Sequence, residues 1–265
     1  MSEESAIEAT RAPLIEHIIE FRQRLMYSAL AFMLGFGVCF YYAEAIYAYL
    51  VAPLAEAYPQ EEARRMIYTG LAEAFLTYVK VGLFGGLFLS FPVIAFQLYR
   101  FIAPGLYRKE KRVMLPFLLA APILFVMGAA LAYYFVFPMA WKFFIGFESQ
   151  GGNGALPVIL EARVSEYLSL TMHILIAFGL AFQLPVVLTL LARAGFVNPA
   201  MLAKGRKYAL IAIVTVAAVL TPPDVFSQIG LSIPLYLLYE LSILSSRWME
   251  QPEEDIQHAR YQADS

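Results

Sequence analysis

The sequence is poor in charged residues. Asp, Glu, Lys and Arg make up only 15% of the 265 residues, whereas soluble domains have about 25%. Hydrophobic residues make up 60%, which is more than a water-soluble chain of this length can hide from its own polar surface. This composition excludes an ordinary soluble enzyme, a disordered chain and a nucleic-acid-binding protein. It predicts a polytopic membrane protein.

Motifs for covalent chemistry, nucleotides and metals are also absent from the sequence. The single cysteine, Cys39, cannot form an internal disulfide bond. The sequence has no P-loop motif for ATP, no H-E-x-x-H zinc motif and no G-x-S-x-G nucleophile motif. We therefore predict a protein that is not an enzyme and that uses neither a cofactor nor a metal ion.

Six hydrophobic segments with little or no charge predict membrane-spanning helices. The hydrocarbon core of a bilayer is about 30 Å thick and requires roughly 20 helical residues to cross it. The segments are residues 25–43, 81–99, 113–141, 167–192, 208–223 and 225–239. The last two are short and flank Thr221-Pro-Pro-Asp224, a sequence that breaks a helix. We interpret them as two short helices joined by a tight turn, with a single broken span as the alternative.

Prolines and glycines within these segments predict how the helices are shaped and packed. The six segments predict an all-α fold with six transmembrane helices. Because prolines remove backbone hydrogen bonds and bend helices, the bundle of these helices is predicted to be concave. Gly82 and Gly86 form a G-x-x-x-G motif that allows a second helix to approach closely. The interrupting prolines are Pro92, Pro116, Pro122, Pro185 and Pro234.

Basic residues are concentrated on one side of the predicted spans. Most of the 19 Lys and Arg residues precede the first span, follow the second or fourth span, or lie in the tail. By the positive-inside rule this side is cytoplasmic, so both termini are predicted to be cytoplasmic. The predicted organisation is an amphipathic cytoplasmic segment at residues 1–24, a transmembrane domain at residues 25–246 and a flexible cytoplasmic tail at residues 247–265.

Two acidic residues are unusual because basic residues surround them beside the membrane. Glu20 lies in the amphipathic segment, four residues before Arg24, a spacing that favours a local ion pair. Glu110 is a lone acid among four neighbouring cations in the loop after the second span. Each carboxylate either neutralises its own neighbours or binds a cationic ligand from outside.

Gln183 is a polar residue within the fourth predicted span. An amide without a partner in hydrocarbon costs a few kcal/mol, so its side chain should face protein or water. The hydrogen bond that it forms is either internal or made to another transmembrane helix.

Taken together, the motifs of this chain resemble those of the TatC family, the receptor subunit of the twin-arginine protein translocase. The resemblance extends from Pro13 to about Trp248, and the T-P-P-D-V-F-S-Q run is its most specific part. The motifs that carry it are His17-x-x-Glu20-x-Arg22-x-Arg24-Leu25, Phe101-Ile-Ala-Pro-Gly-Leu-Tyr107 with Glu110, Phe182-Gln-Leu-Pro185 and Thr221-Pro-Pro-Asp-Val-Phe-Ser-Gln228.

The resemblance implies a function in protein export. TatC proteins have six transmembrane helices and bind signal peptides that carry two consecutive arginines. With the single-span subunits TatA and TatB they move folded proteins across the bacterial inner membrane, driven by the proton-motive force. By resemblance we also expect self-association in a larger complex and contact with membrane lipids, but no nucleic-acid partner.

The resemblance also implies roles for individual residues. Glu20, Glu110, Phe101 and Arg22 are expected to bind the signal peptide, and Gln183 is expected to dock a partner helix. Many family members have Glu at the position of Gln183, so only a hydrogen-bonding role is carried over to this chain. Residues expected at structural positions or periplasmic turns are Pro53, Pro222, Pro223 and Asp224.

Two other classes of membrane protein are alternatives to a translocase subunit. A secondary transporter of a small solute would line its path with Gln183, His173 and Asp224, but internal repeats and mid-span charges are lacking. An intramembrane protease would need a nucleophile–base pair or two membrane aspartates, and the sequence offers neither.

Overall fold

The chain is all-α in a computed structural model that describes residues 3–58, 65–102, 111–149, 151, 156–193, 196–220 and 225–249. Within these residues the only β-structure consists of isolated bridges. A five-residue π-helical segment, Ala132–Val136, connects the helix Lys111–Leu131 to the helix Phe137–Ile145 without a break. The α-helices are α1 (Glu3–Tyr41), α2 (Ala43–Ala57), α3 (Glu73–Ile102), α4 (Lys111–Leu131), α5 (Phe137–Ile145), α6 (Val164–Ala181), α7 (Leu184–Arg193), α8 (Pro199–Lys204), α9 (Arg206–Leu220) and α10 (Val225–Met249).

Five helical segments in the described residues are long and apolar enough to cross a membrane. They are His17–Tyr41, Glu73–Phe101, Leu119–Ile145, Val164–Ala192 and Ser227–Ser246. The fifth predicted span, residues 208–223, corresponds to α9, which has 15 residues and is shorter than these five. An all-α membrane fold is therefore confirmed, while the number of six spans stays a prediction.

The last helix is longer than the sequence predicts. The hydrophobic run was expected to end at Tyr239, before the charge of Glu240, but α10 has 25 residues and continues to Met249. Arg206 donates two hydrogen bonds to the Glu240 carboxylate, at 2.7 and 2.8 Å, and so neutralises that charge within the helix. The prediction of a short last span was wrong for this reason.

The described structure divides into two compact units, of which the first comprises Met1–Ile123 and Trp141–Leu175. In this unit α1 packs along α3, and small residues permit the close contact. A Cβ atom built on Gly86 would lie 2.7 Å from the backbone nitrogen of Phe36, and one on Gly35 would lie 2.9 Å from the carbonyl oxygen of Gly86. The close approach predicted from the G-x-x-x-G motif is thus confirmed.

The first unit also contains an unpredicted polar cluster around Glu73, at the start of α3. The Glu73 carboxylate accepts hydrogen bonds from the backbone nitrogens of Thr69 and Gly70, and from the Ser165 hydroxyl at 2.6 Å. Arg163 lies 3.7 Å from the same carboxylate. Because a backbone bridge also pairs Ile67 with Arg163, the segments before α3 and before α6 are held together.

The second unit comprises Leu124–Ala140 and Ile176–Ser265. Here α10 packs against α7, α8, α9 and the π-helical segment. Glycines again set the closest helix contact, because a Cβ on Gly128 would lie 2.5 Å from the carbonyl oxygen of Phe178. The buried hydroxyl of Tyr239 donates to the carbonyl oxygen of Leu202 at 2.7 Å, which ties α10 to α8.

Pro53 is not at a turn. It was expected at a structural or turn position, and it lies buried inside α2, one turn before the helix ends. The helix is held at this point because the Tyr167 hydroxyl donates to the carbonyl oxygen of Leu50 at 2.9 Å. Pro53 therefore has a structural setting within a helix and not at a turn, and its role stays a prediction.

Candidate functional site

One face of α1 packs against the last turns of α3 and places the candidate binding residues together. His17, Glu20 and Arg24 follow one another at spacings of three and four, so they lie on one stripe of the helix. Gln97 and Phe101 are one turn apart on α3. The two stripes meet through an aromatic contact and a polar contact that are next to each other.

The aromatic contact is formed around Phe101. The ring of Phe101 stacks on the imidazole of His17, with centroids 4.3 Å apart and planes 19° apart. Phe21 meets the same ring in a tilted contact at 5.4 Å. Phe101 is thus held between two side chains of α1, which fixes the end of α3 beside Glu20.

The polar contact is formed around Arg24. Its Nε donates to Glu20 Oε1 at 3.1 Å, and its Nη2 donates to the same oxygen. Its Nη1 donates to Gln97 Oε1 on α3 at 3.3 Å. The local ion pair predicted between Glu20 and Arg24 is confirmed, and the guanidinium also connects α1 to α3.

The other two residues expected at this site are not part of the cluster. Arg22 is exposed and forms no ion pair with the residues that the structure describes, because position 22 points away from the stripe of Glu20 and Arg24. Glu110 lies outside the described residues, in the interval 103–110. The structure therefore brings together the helix segments that carry Glu20 and Phe101.

Gln183 lies at the interruption between α6 and α7. Pro185 has no backbone N–H, so the regular hydrogen bonding of the helix fails at this point and α6 ends at Ala181 before α7 begins at Leu184. The side chain of Gln183 is half-buried, and its Nε2 donates to the carbonyl oxygen of Gly179 at 3.4 Å, one turn back. Its amide thus has an internal partner on its own span.

The remaining candidates are three residues that the structure does not describe and one histidine on α6. Pro222, Pro223 and Asp224 lie outside the described residues, and His173 is exposed on α6. Within the described part of the chain, no group of three His, Cys, Asp or Glu side chains could hold a metal ion.

Besides the Glu73 cluster, two further polar contacts were not predicted from the sequence. Gln97 joins the site because it faces Arg24 across 73 residues of chain, and its only signal was a polar residue near the end of an apolar helix. Glu240 on α10 pairs with Arg206 on α9, and its hydrogen bonds and negative charge raise the pKa of the Arg206 guanidinium. Neither pairing has a fixed sequence spacing that would reveal it.

Comparisons with known proteins agree over most of the chain. The sequence model described as "TatC: Sec-independent protein translocase protein (TatC)" matches residues 16–234. A Sec-independent protein translocase protein TatC of Magnetococcus marinus is 48% identical over 257 residues, which cover 96% of this chain and 92% of that protein. The TatC protein of Escherichia coli K12 is 40% identical over 243 residues, covering 92% of this chain and 91% of the relative.

A solved structure gives the same result at the level of the fold. The structure described as "Crystal Structure of Twin Arginine Translocase Receptor- TatC" superposes with a TM-score of 0.71 at 38% sequence identity. The superposition covers 88% of this chain and 98% of the crystallised chain.

Proposed function

Because the chain belongs to the TatC family of Sec-independent protein translocase proteins, and so acts in twin-arginine translocation, we propose that it is the subunit that binds signal peptides. It is a multi-pass protein of the bacterial inner membrane and a component of a translocase. The TatC family is not known to include enzymes. In this proposal Glu20 and Glu110 each bind one arginine of the signal peptide. Phe101 and Arg22 complete the binding surface.

The observation that supports this proposal is the guanidinium already bound at Glu20. Two nitrogens of Arg24 contact one oxygen of its carboxylate, on the same stripe of α1 as His17, which stacks on Phe101. A carboxylate and a guanidinium form charge-assisted hydrogen bonds in a planar fork, whereas the ammonium group of lysine is a point charge. Each such bond contributes roughly tenfold to a hundredfold in affinity, so two acids suffice to select paired arginines over other basic residues.

The surroundings of the two acids add to this selectivity. Five basic residues follow the second span within residues 100–112, and their charge repels a basic peptide in general. Only a ligand whose two guanidinium groups reach the acids offsets this repulsion. The hydrophobic part of the signal peptide then lies along the apolar helices.

We further propose the arrangement in the membrane and the partners. Both termini face the cytoplasm, and residues 1–24 lie at the membrane surface. This segment and the first span belong to one continuous helix, α1. The chain associates with TatA, with TatB, with further copies of itself and with membrane lipids. The proton-motive force drives the export of folded precursors that carry twin-arginine signal peptides.

Photocrosslinking tests the proposal. A precursor with a photoreactive residue next to its arginine pair is incubated with membranes that contain the full chain. Glu20→Gln and Glu110→Gln should each reduce the crosslinked product at least severalfold, because an amide cannot form the ion pair. Glu44→Gln is the matched control, since Glu44 is exposed at the start of α2, away from this cluster. Undiminished crosslinking in both test variants would exclude the two acids as the binding site.

A further inference from the structure

We propose that Arg24 is a positioning residue for recognition of the signal peptide and that Gln97 anchors it. This inference rests on the proposed function of Glu20. In this view Arg24 fixes one oxygen of the Glu20 carboxylate, so that the other oxygen, Oε2, is presented in a defined direction to the guanidinium of the ligand.

The first support is the pattern of hydrogen bonds at the carboxylate. Both Arg24 donors contact Oε1 of Glu20, and Oε2 accepts no hydrogen bond from the residues that the structure describes. A carboxylate has about four lone-pair sites, so a second guanidinium can bind while the first remains. The internal arginine therefore leaves room for an external one.

The second support is the difference in burial. The side chain of Arg24 is 17% exposed and that of Glu20 is 29% exposed. The cation thus lies on the inner side of the pair, between the two helices, and the acid lies on the outer side. A ligand approaching from outside meets the carboxylate before it meets the competing guanidinium.

The third support is the anchor on α3. Nη1 of Arg24 donates to Oε1 of Gln97 at 3.3 Å, so the planar guanidinium is held on two sides by two different helices. Next to it, His17 and Phe101 stack at 4.3 Å and join the same two helices. Such support limits the rotation of Arg24 and hence of the carboxylate that it holds.

The chemistry of the two basic side chains supplies the test variant. Lysine at position 24 keeps the positive charge, but a single ammonium group cannot reproduce the planar fork between Glu20 and Gln97. Arg24→Lys therefore removes the orientation and keeps the charge. Gln97→Leu removes the anchor and leaves both charged groups in place.

Peptide binding to the full chain in lipid nanodiscs measures the effect. The probes are two labelled synthetic peptides that differ only in having Arg-Arg or Lys-Lys before the same apolar segment. Arg24→Lys and Gln97→Leu should each lower the affinity ratio of Arg-Arg to Lys-Lys about two- to fivefold, the range expected for a partly exposed ion pair. Because the two substitutions act on one contact, the affinity ratio of the double variant should fall no further than that of the more affected single variant.

Controls separate this inference from the proposed function. Gln23→Leu makes the same chemical change at an exposed neighbour on α1 and should leave the ratio unchanged. If Glu20→Gln lowers the ratio but Arg24→Lys and Gln97→Leu do not, the receptor function holds and Arg24 is not a positioning residue. If Arg24→Lys raises the affinity for both peptides equally, Arg24 competes with the peptides for Glu20, and the inference is also overturned. If Glu20→Gln itself has no effect, the proposed role of Glu20 fails.

Discussion

The side chain of Gln183 lies where Pro185 interrupts its span. The 3.4 Å bond that it donates to Gly179 is long and lies within its own span. A hydrogen bond between transmembrane helices contributes about 0.6–2 kcal/mol. The proposed docking of a partner helix at this residue is therefore consistent with a modest, measurable affinity.

Replacing Gln183 tests this docking. Gln183→Leu should reduce the amount of TatB that co-purifies with the chain about three- to thirtyfold, because the interhelical hydrogen bond is lost. Gln183→Glu is the matched control and should retain TatB, since a carboxyl group at this position still offers a hydrogen-bond acceptor. An unchanged yield with Gln183→Leu, together with unchanged transport, would assign the amide to its internal bond alone.

Residue contacts were predictable from the sequence only where the helix itself fixes the spacing. Glu20 and Arg24 are four residues apart, so their pairing follows from the pitch of α1. Glu73 and Ser165 meet across 92 residues of chain, and neither residue has a local pattern that identifies the other. The same holds for Gln97, so its hydrogen bond with Arg24 could be identified only from the structure.

Packing between α1 and α3 depends on glycines, and this gives a prediction at the scale of the helix pair. In Gly86→Ala the new Cβ would lie 2.7 Å from the backbone nitrogen of Phe36 and 2.8 Å from its Cα, and these backbone atoms cannot move aside cheaply. Overpacking of this kind costs about 1–3 kcal/mol. The thermal unfolding midpoint of the purified chain in detergent should therefore fall.

Gly37→Ala provides the comparison on the same helix pair. A Cβ at Gly37 would meet no atom within 4 Å, so the helix gains a better helix former without a clash. Its unfolding midpoint should be no lower than that of the unmodified chain. Equal midpoints for the two variants would show that α1 and α3 can separate freely at Gly86.

At the level of helices, the sequence predicts spans better than it predicts their ends. Charge-poor runs identified α3 and the segment from α4 to α5, because burial in lipid forbids unpaired charges. The helix α2 was not predicted, since it follows the first span after a single residue and contains Pro53. The end of α10 was placed too early because the partner of Glu240 lies on another helix.

For the whole molecule, composition together with the length of the charge-poor runs was sufficient to predict an all-α membrane protein, because a helix of that length satisfies its backbone polar groups within one segment in lipid. That Glu20 and Phe101 lie in one region was also predictable, since they belong to motifs at the ends of adjacent spans. The way these residues meet was not, because the contact of His17 with Phe101 depends on the packing of two helices far apart in sequence. The orientation in the membrane is predicted from the asymmetry of the basic residues.

Accessibility of single cysteines tests that orientation. With Cys39→Ser as the background, Leu156→Cys places a thiol in the loop after α5, where the residue is 85% exposed. Met201→Cys places one on α8, in the loop with four basic residues from Arg193 to Lys207. By the positive-inside rule, a membrane-impermeant maleimide should label position 156 but not position 201 in intact spheroplasts, and both after lysis. Labelling of position 201 alone before lysis would reverse the topology and put Glu20 on the side opposite to the incoming signal peptide.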